Sequence, residues 1–339
     1  MTLSANATLP ATGPHTVADS DSSLHAALDG SLRCVLGDRG ILAFRGADAA
    51  AFLHRQLSTD VAGLEPGDTR LTSYSDARGR LLFVGRLYAE PERLLLEVPA
   101  ERLEPLKQTL ARFVLRADVH ISDASAELAR CGVTGQNAAM ALHSLTGKLP
   151  SEPGESCSPL EGLRVVRLPG PRVRWALLGE PAAVQQAWDA LEGHAATGGV
   201  GAWRLLEIEA GIPHVHEATA GHFVAQMLNL DRLGAIDFDK GCYPGQEVIA
   251  RTHYLGRVKR RMQLLYAPAC SEPPAPAAPV SAAGSRIGEV VDAAATPDGG
   301  ALVLATLQLD ASGPFALGEA ANECAERRDL PYSLADEAA

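Results

Sequence analysis

"RGADAAAFLHRQL", residues 45–57, is met again as "TGQNAAMALHSL", residues 134–145. Gly46 matches Gly135, Asp48 matches Asn137 and His54 matches His143, each pair 89 residues apart. Each copy reads as a strand, a tight glycine turn and a capped helix. In the first, "GILAFRG" (40–46) is the strand. Asp48 is placed to cap a helix that carries Phe52, Leu53 and Leu57. A unit recurring at a fixed offset predicts two related αβ units.

The neighbouring stretches extend the pattern. "TRLTSYS" and "RLLFVGRLY" read as strands joined at Asp76-Ala77-Arg78-Gly79, where Gly79 suits positive φ. "RLLLEVP" adds a strand and "AERLEPLKQTLARFVL" a helix. Farther on, "LRVVRLP" and "VRWALLG" read as paired strands, followed by helices in "PAAVQQAWDALEG" and "GAWRLLEIEAGIP". After residue 257 the segments "RVKRRMQLLYA", "RIGEVVDAA" and "GALVLATLQL" are strand-like with little helix between, which predicts a compact β domain. The Pro/Ala-rich stretch 267–284 reads as a flexible insert in it, and residues 1–30 as a disordered polar tail.

Composition narrows the function. A chain of 339 residues with formal charge −11 lacks the basic excess of a broad nucleic-acid binder. Its six cysteines form no C-x-x-C pair, which fits reduced thiols in the cytoplasm rather than a disulfide scaffold. The first 30 residues lack a basic start and an apolar run, so no signal peptide is expected. No apolar run approaches the ~20 residues of a membrane helix.

Several residues could carry chemistry. In "DKGCYPGQE" (239–247) Pro244 suits the first position of a helix, which would set Cys242 just ahead of a helix N-terminus. Partial positive charge there favours a thiolate. Lys240 would assist, and Asp237 and Asp239 oppose. The alternative is a small buried hydrophobe. Glu209 falls in the last turn of its helix on an apolar face, whereas Glu207 is expected to point elsewhere. A carboxylate there accepts two parallel N–H bonds, from a guanidinium or a 2-amino-pyrimidinone edge, unless it is only a frayed helix end. Asp76 serves its own turn or a ligand. Arg251, Arg257, Lys259, Arg260 and Arg261 form an anion site or a solvated strand edge. His214, His216 and His222 read as loop histidines, with H-x-H metal binding as the other reading.

"KGCYPGQE" (240–247) resembles the signature of YgfZ-type proteins, grouped with the glycine-cleavage T-protein in a folate-binding superfamily. "LEIEAGIPHV" (206–215), "FLHRQLSTDV" (52–61) and "SYSDARGRL" (73–81) agree, and the similarity runs from about residue 32 to 310. The resemblance implies an α+β fold of three domains in a ring, two αβ domains plus a C-terminal β-barrel. Residues 37–128 with 232–257 would form one αβ domain and 31–36 with 129–231 the other. Residues 258–339 would form the barrel. It also implies tetrahydrofolate or a one-carbon derivative as cofactor. Glu209 would contact the pterin, with Asp76 as the acid of folate chemistry. Gln246 and Glu247 belong to the signature, and Arg251 would meet the folate's glutamate tail. Cys242, with Lys240, would be the reacting group, and T-proteins typically lack this cysteine. The implied role is support of iron–sulfur cluster assembly or repair, with iron–sulfur client enzymes as partners. The competing readings are a folate-dependent aminomethyl transferase or demethylase, and a non-catalytic folate sensor or scaffold.

Overall fold

Gly46 and Gly135 both sit at positive φ, 110° and 96°, where a strand ends and the chain turns into a helix. A Cβ on either would lie 2.2 Å from a backbone oxygen, of Asp118 and of Gly30 respectively. Only glycine fits such a turn, so the repeat seen in sequence is a repeat of backbone geometry.

The computed structural model describes residues 18–256, 258–270, 272–318 and 324–334. The chain begins with α1 (Asp21–Asp29) and β1 (Leu32–Val35), followed by β2 (Arg39–Arg45) and α2 (Ala49–His54). Next come β3 (Thr69–Ser75), β4 (Leu81–Ala89), β5 (Leu94–Pro99), α3 (Ala100–Ala111) and β6 (His120–Asp123). Strands β2 to β6 form one five-stranded sheet in the order β3-β4-β5-β2-β6. The second unit holds β7 (Ala129–Thr134), α4 (Gln136–Thr146), β8 (Ser156–Leu160), β9 (Leu163–Leu168), β10 (Arg174–Gly179), α5 (Pro181–Ala190), β11 (Ala196–Gly198) and α6 (Val200–Glu209). Its sheet runs β11-β1-β7-β10-β9-β8, so β1 crosses into it from the start of the chain. After α7 (Gln246–Tyr254) come β12 (Arg260–Ala267), β13 (Pro279–Ala282), β14 (Ser285–Ala295), β15 (Ala301–Gln308), β16 (Phe315–Leu317) and β17 (Cys324–Arg328). They close a barrel in the order β12-β15-β14-β13-β16-β17.

Strand alternation divides the cores. Leu42 and Phe44 of β2 face Phe52 and Leu53 of α2 and Leu106 and Leu110 of α3. Ile41 and Ala43, one residue out of phase, join a central core with Val166 and Ala176 of the second sheet, Trp203 and Leu206 of α6, and Leu264 and Leu304 of the barrel. Both faces of β2 are therefore covered, which is why it reads as an unbroken apolar run. No helix among the described residues is long and apolar enough to cross a membrane.

Three expectations need correction. Residues 21–29 of the supposed tail form α1, started by a Ser20–Ser23 capping box and buried at Leu24 and Ala27. Asp19 just before it accepts from the amides of Gly199 and Ala202 at 2.9 and 3.0 Å and so caps α6. Residues 1–17 lie outside the described residues. Asp48 stands at the N-cap of α2 but makes no cap bond; its carboxylate accepts from the Asp118 amide at 2.8 Å instead. Within the supposed insert 267–284, Pro279–Ala282 is barrel strand β13, with Val280 fully buried. Proline is tolerated there because it opens the strand, where no ladder N–H is required.

Candidate functional site

The signature loop is fixed at both ends. Lys240 Nζ donates to the carbonyls of His54 and Leu57, the latter at 2.6 Å, just beyond the end of α2. The same ammonium lies 4.8 Å from the ring centroid of Tyr243, which is buried in the central core. Desolvation lowers the Lys240 pKa to about 8, against the pull of Asp60 and Asp237. Burial pushes the Tyr243 hydroxyl up to about 12. Between these two anchors Cys242 is exposed. Cys34, Cys131 and Cys270 are buried and Cys157 is half-buried. The buried-hydrophobe reading of Cys242 is therefore wrong.

The loop enters α7 later than expected. Pro244 lies in a turn, the helix starts at Gln246, and Gly245 is the N-cap at φ 82°. Cys242 thus precedes the first helical residue by four positions. A Cβ on Gly245 would stand 2.7 Å from Gly79 Cα and 2.8 Å from the Asp76 carbonyl. A Cβ on Gly79, itself at φ 73°, would stand 2.9 Å from Val248 Cβ. Two left-handed glycines therefore let the β3–β4 turn lie directly on the start of α7. Gly245→Ala is expected to cost about 2–4 kcal/mol, from left-handed strain plus overpacking. Chemical denaturation measures it, and a loss under 1 kcal/mol would contradict this account.

The other candidates separate around this loop. Asp76 comes to it through the turn, with Oδ1 accepting from the amides of Arg78 and Arg80, each at 2.9 Å. Glu247 is exposed in the first turn of α7, and Gln246 opens the helix. Arg251 is exposed in its last turn. Lys259 and Arg260 are exposed as well, whereas Arg261 is no anion site. It is buried and gives Asp231 a bidentate pair at 2.9 and 2.8 Å. Arg257 lies outside the described residues.

Glu209 ends α6 as expected, and its carboxylate takes a fork from Arg172, Nε at 2.7 Å and Nη2 at 3.1 Å. That pair offsets the unfavourable helix dipole. Glu207 does not point away: its side chain is 13% exposed against 21% for Glu209. It accepts from Arg39 Nη2 at 2.5 Å and lies 3.2 Å from His214 Nε2. The expectation assumed a helix with one wet face. Helix α6 is packed nearly all round, with Ala202, Trp203, Leu205, Leu206 and Ile208 buried, so periodicity could not separate the two glutamates. The histidines are structural as well. His216 lies 3.2 Å from Asp292 of the barrel and 3.3 Å from Glu101 of α3, and His222 3.1 Å from Glu289.

A cavity of about 40 Å³ between the two sheets is walled by Arg39, Glu207, His214, Arg174, Trp203 and Tyr88, among others. Arg174 Nη1 is buried there without a partner, and desolvation brings the Arg174 pKa down to about 10. Cys242 and Glu209 are not on its walls, although Ile212 and Leu168, near Glu209 and Arg172 in sequence, are.

No family model matches the chain. It is 30% identical over 305 residues to a protein of Shigella boydii named tRNA-modifying protein YgfZ, covering 88% of this chain and 92% of the relative. The chain belongs to the YgfZ family. A protein of the same name from Colwellia psychrerythraea is 30% identical over 230 residues, covering 67% of this chain and 69% of the other. Among solved structures, the glycine cleavage system aminomethyltransferase T of Bartonella henselae superposes with TM-score 0.72 at 16% identity, over 90% of this chain and 86% of that one. The YgfZ-family chain thus has the T-protein fold that its signature implied. Gly245 of the signature now has a physical reason, since a Cβ on it would strike the β3–β4 turn at Gly79 and Asp76.

Proposed function

We propose that this YgfZ-family chain binds tetrahydrofolate or a one-carbon derivative and uses Cys242 to support assembly or repair of iron–sulfur clusters in client enzymes. The observation that carries the reading is the exposed thiol between two anchored residues, Lys240 and Tyr243. One thiol does not hold a cluster, which typically takes four cysteine ligands. Cys242 therefore acts as a reactive group or as a ligand shared briefly with a client. The relatives' name concerns tRNA modification. A formal charge of −11 disfavours direct tRNA binding here, so the link would run through a client in the cytoplasm.

The folate part rests on the Arg172–Glu209 fork. A pterin edge offers two parallel N–H groups, the same pattern as the guanidinium that Glu209 now holds. The neighbouring cavity of about 40 Å³ takes waters rather than a bicyclic ring, so the pterin would enter by displacing Arg172. That displacement is cheap, because the pair is 32% and 21% exposed and such pairs are worth up to about 1 kcal/mol. Glu207, held by Arg39 and His214, is not released so easily.

Calorimetric titration with tetrahydrofolate tests this. Glu209→Ala should weaken binding roughly 5- to 150-fold, the cost of an unpaired polar edge. Arg172→Ala should leave affinity unchanged or tighten it, by no more than roughly fivefold. Absence of binding heat in the wild type, or unchanged affinity in Glu209→Ala, would overturn the folate reading.

A further inference from the structure

One charge inside the fold has no counterpart. Arg174 of β10 is 2% exposed and lines the cavity between the two sheets. Its Nε and Nη2 both turn to the Pro169 carbonyl, at 3.2 and 2.9 Å. Pro169 is not on the cavity wall. The remaining nitrogen, Nη1, is buried without a partner. No carboxylate among the described residues bonds to this guanidinium. Burial brings its pKa down only to about 10, so the charge persists at neutral pH.

The other charges of the cavity are matched. Its walls carry three guanidinium groups, Arg39, Arg86 and Arg174, against two carboxylates, Glu97 and Glu207. Glu207 is taken by Arg39 and His214. Glu97 stands opposite Arg86 where β4 pairs with β5, so their side chains share one face of the sheet. One positive charge is left over, that of Arg174. The Trp203 ring centroid lies 5.6 Å from its guanidinium carbon, and a π face attracts a cation less than a formal anion does. A buried charge is ordinarily paired.

We propose that the cavity binds a small monovalent anion, a halide or a planar carboxylate such as formate, on Arg174 Nη1. The site goes beyond the folate and thiol reading and does not depend on it. A volume of about 40 Å³ has room for one such ion with a water beside it. The contact is a charge-assisted hydrogen bond. The preference for a single charge follows from the count on the walls. A dianion would carry one unmatched charge into the interior, where it has no water to solvate it.

The probe is chloride, titrated as its sodium salt into the full chain and followed by the chloride NMR line width. An ion that exchanges on and off the protein broadens with the fraction bound. The wild type should give an excess width that saturates. Sodium sulfate at matched ionic strength should release it far less than further chloride does, whereas cations on the protein surface would hold the dianion at least as well. Release by formate at concentrations below that of chloride marks a carboxylate site. Release only above that concentration, or none, marks a halide site. Arg174→Gln keeps an N–H for the Pro169 carbonyl and removes the charge. It should weaken chloride binding by about 10- to 150-fold, the loss of a hydrogen bond to a charged group. Absence of excess width, release by sulfate as readily as by chloride, or a width undiminished in Arg174→Gln would each overturn the inference. Should that variant not fold, the sulfate comparison on the wild type decides alone.

Discussion

Replacing Glu207 by glutamine is expected to destabilise the protein by about 3–5 kcal/mol, the cost of removing one partner from a buried ion pair. The Arg39 and His214 side chains are 9% and 6% exposed, so a guanidinium left with only the longer contact to Asp38, at 3.4 Å, has little water to turn to. The pair also joins separate parts of the fold, Arg39 from β2 and Glu207 from α6, so its loss weakens their packing and not only a local contact. Burial by itself would raise the Glu207 carboxyl. Arg39 and then His214 outweigh it and hold the group well below the usual carboxylate range. A depressed folded pKa contributes stability that is present above the unfolded value, about 4.5, and is lost as pH falls. Asp292 is shifted the same way: His216 and Arg204 outweigh its burial. Wild-type stability should therefore fall steeply below about pH 4.5, and less steeply in Glu207→Gln, which lacks one titrating carboxyl. Urea denaturation at pH 7 and pH 4 measures both effects. A loss under 1 kcal/mol at pH 7 would mean that the pair contributes little.

What could be read in the sequence is what backbone geometry dictates residue by residue. Gly46 and Gly135 announce strand-to-helix turns because no other residue fits at φ near 100° with a carbonyl 2.2 Å from the missing Cβ. The exposure of Cys242 was not legible in this way, because the sequence left the thiol open between a place ahead of a helix N-terminus and a small buried hydrophobe. What could not be read depends on partners far along the chain. Glu207 meets Arg39 across 168 positions, and nothing local separates it from Glu209 on a helix covered on nearly every side. Arg261 looked like one of five exposed cations until Asp231 reached it. Val280 was hidden by Pro/Ala composition, which describes a segment's average and not the single side chain that anchors it.

Replacing Cys242 by alanine is expected to abolish the support of cluster enzymes in cells while leaving the fold intact. The side chain is exposed, and surface truncations of that kind usually shift stability by no more than about 0.5 kcal/mol. The loop's position comes from Lys240, Tyr243 and Gly245, none of which depends on the sulfur. Tetrahydrofolate affinity should likewise stay within about twofold of wild type, because neither Glu209 nor the central cavity contacts this residue. A cell lacking its own copy, complemented with the variant at wild-type abundance, gives the decisive measurement: the specific activity of iron–sulfur enzymes that fall in the deletion strain. Normal activities would refute the role of the thiol. Cys242→Ser separates the remaining readings. A hydroxyl has nearly the size of a thiol but neither its acidity nor its affinity for iron. A scaffold or folate sensor would tolerate serine, and a thiol that reacts or ligates would not. An aminomethyl transferase would instead turn over an aminomethyl donor with tetrahydrofolate in either variant, because that chemistry proceeds in T-proteins without this cysteine.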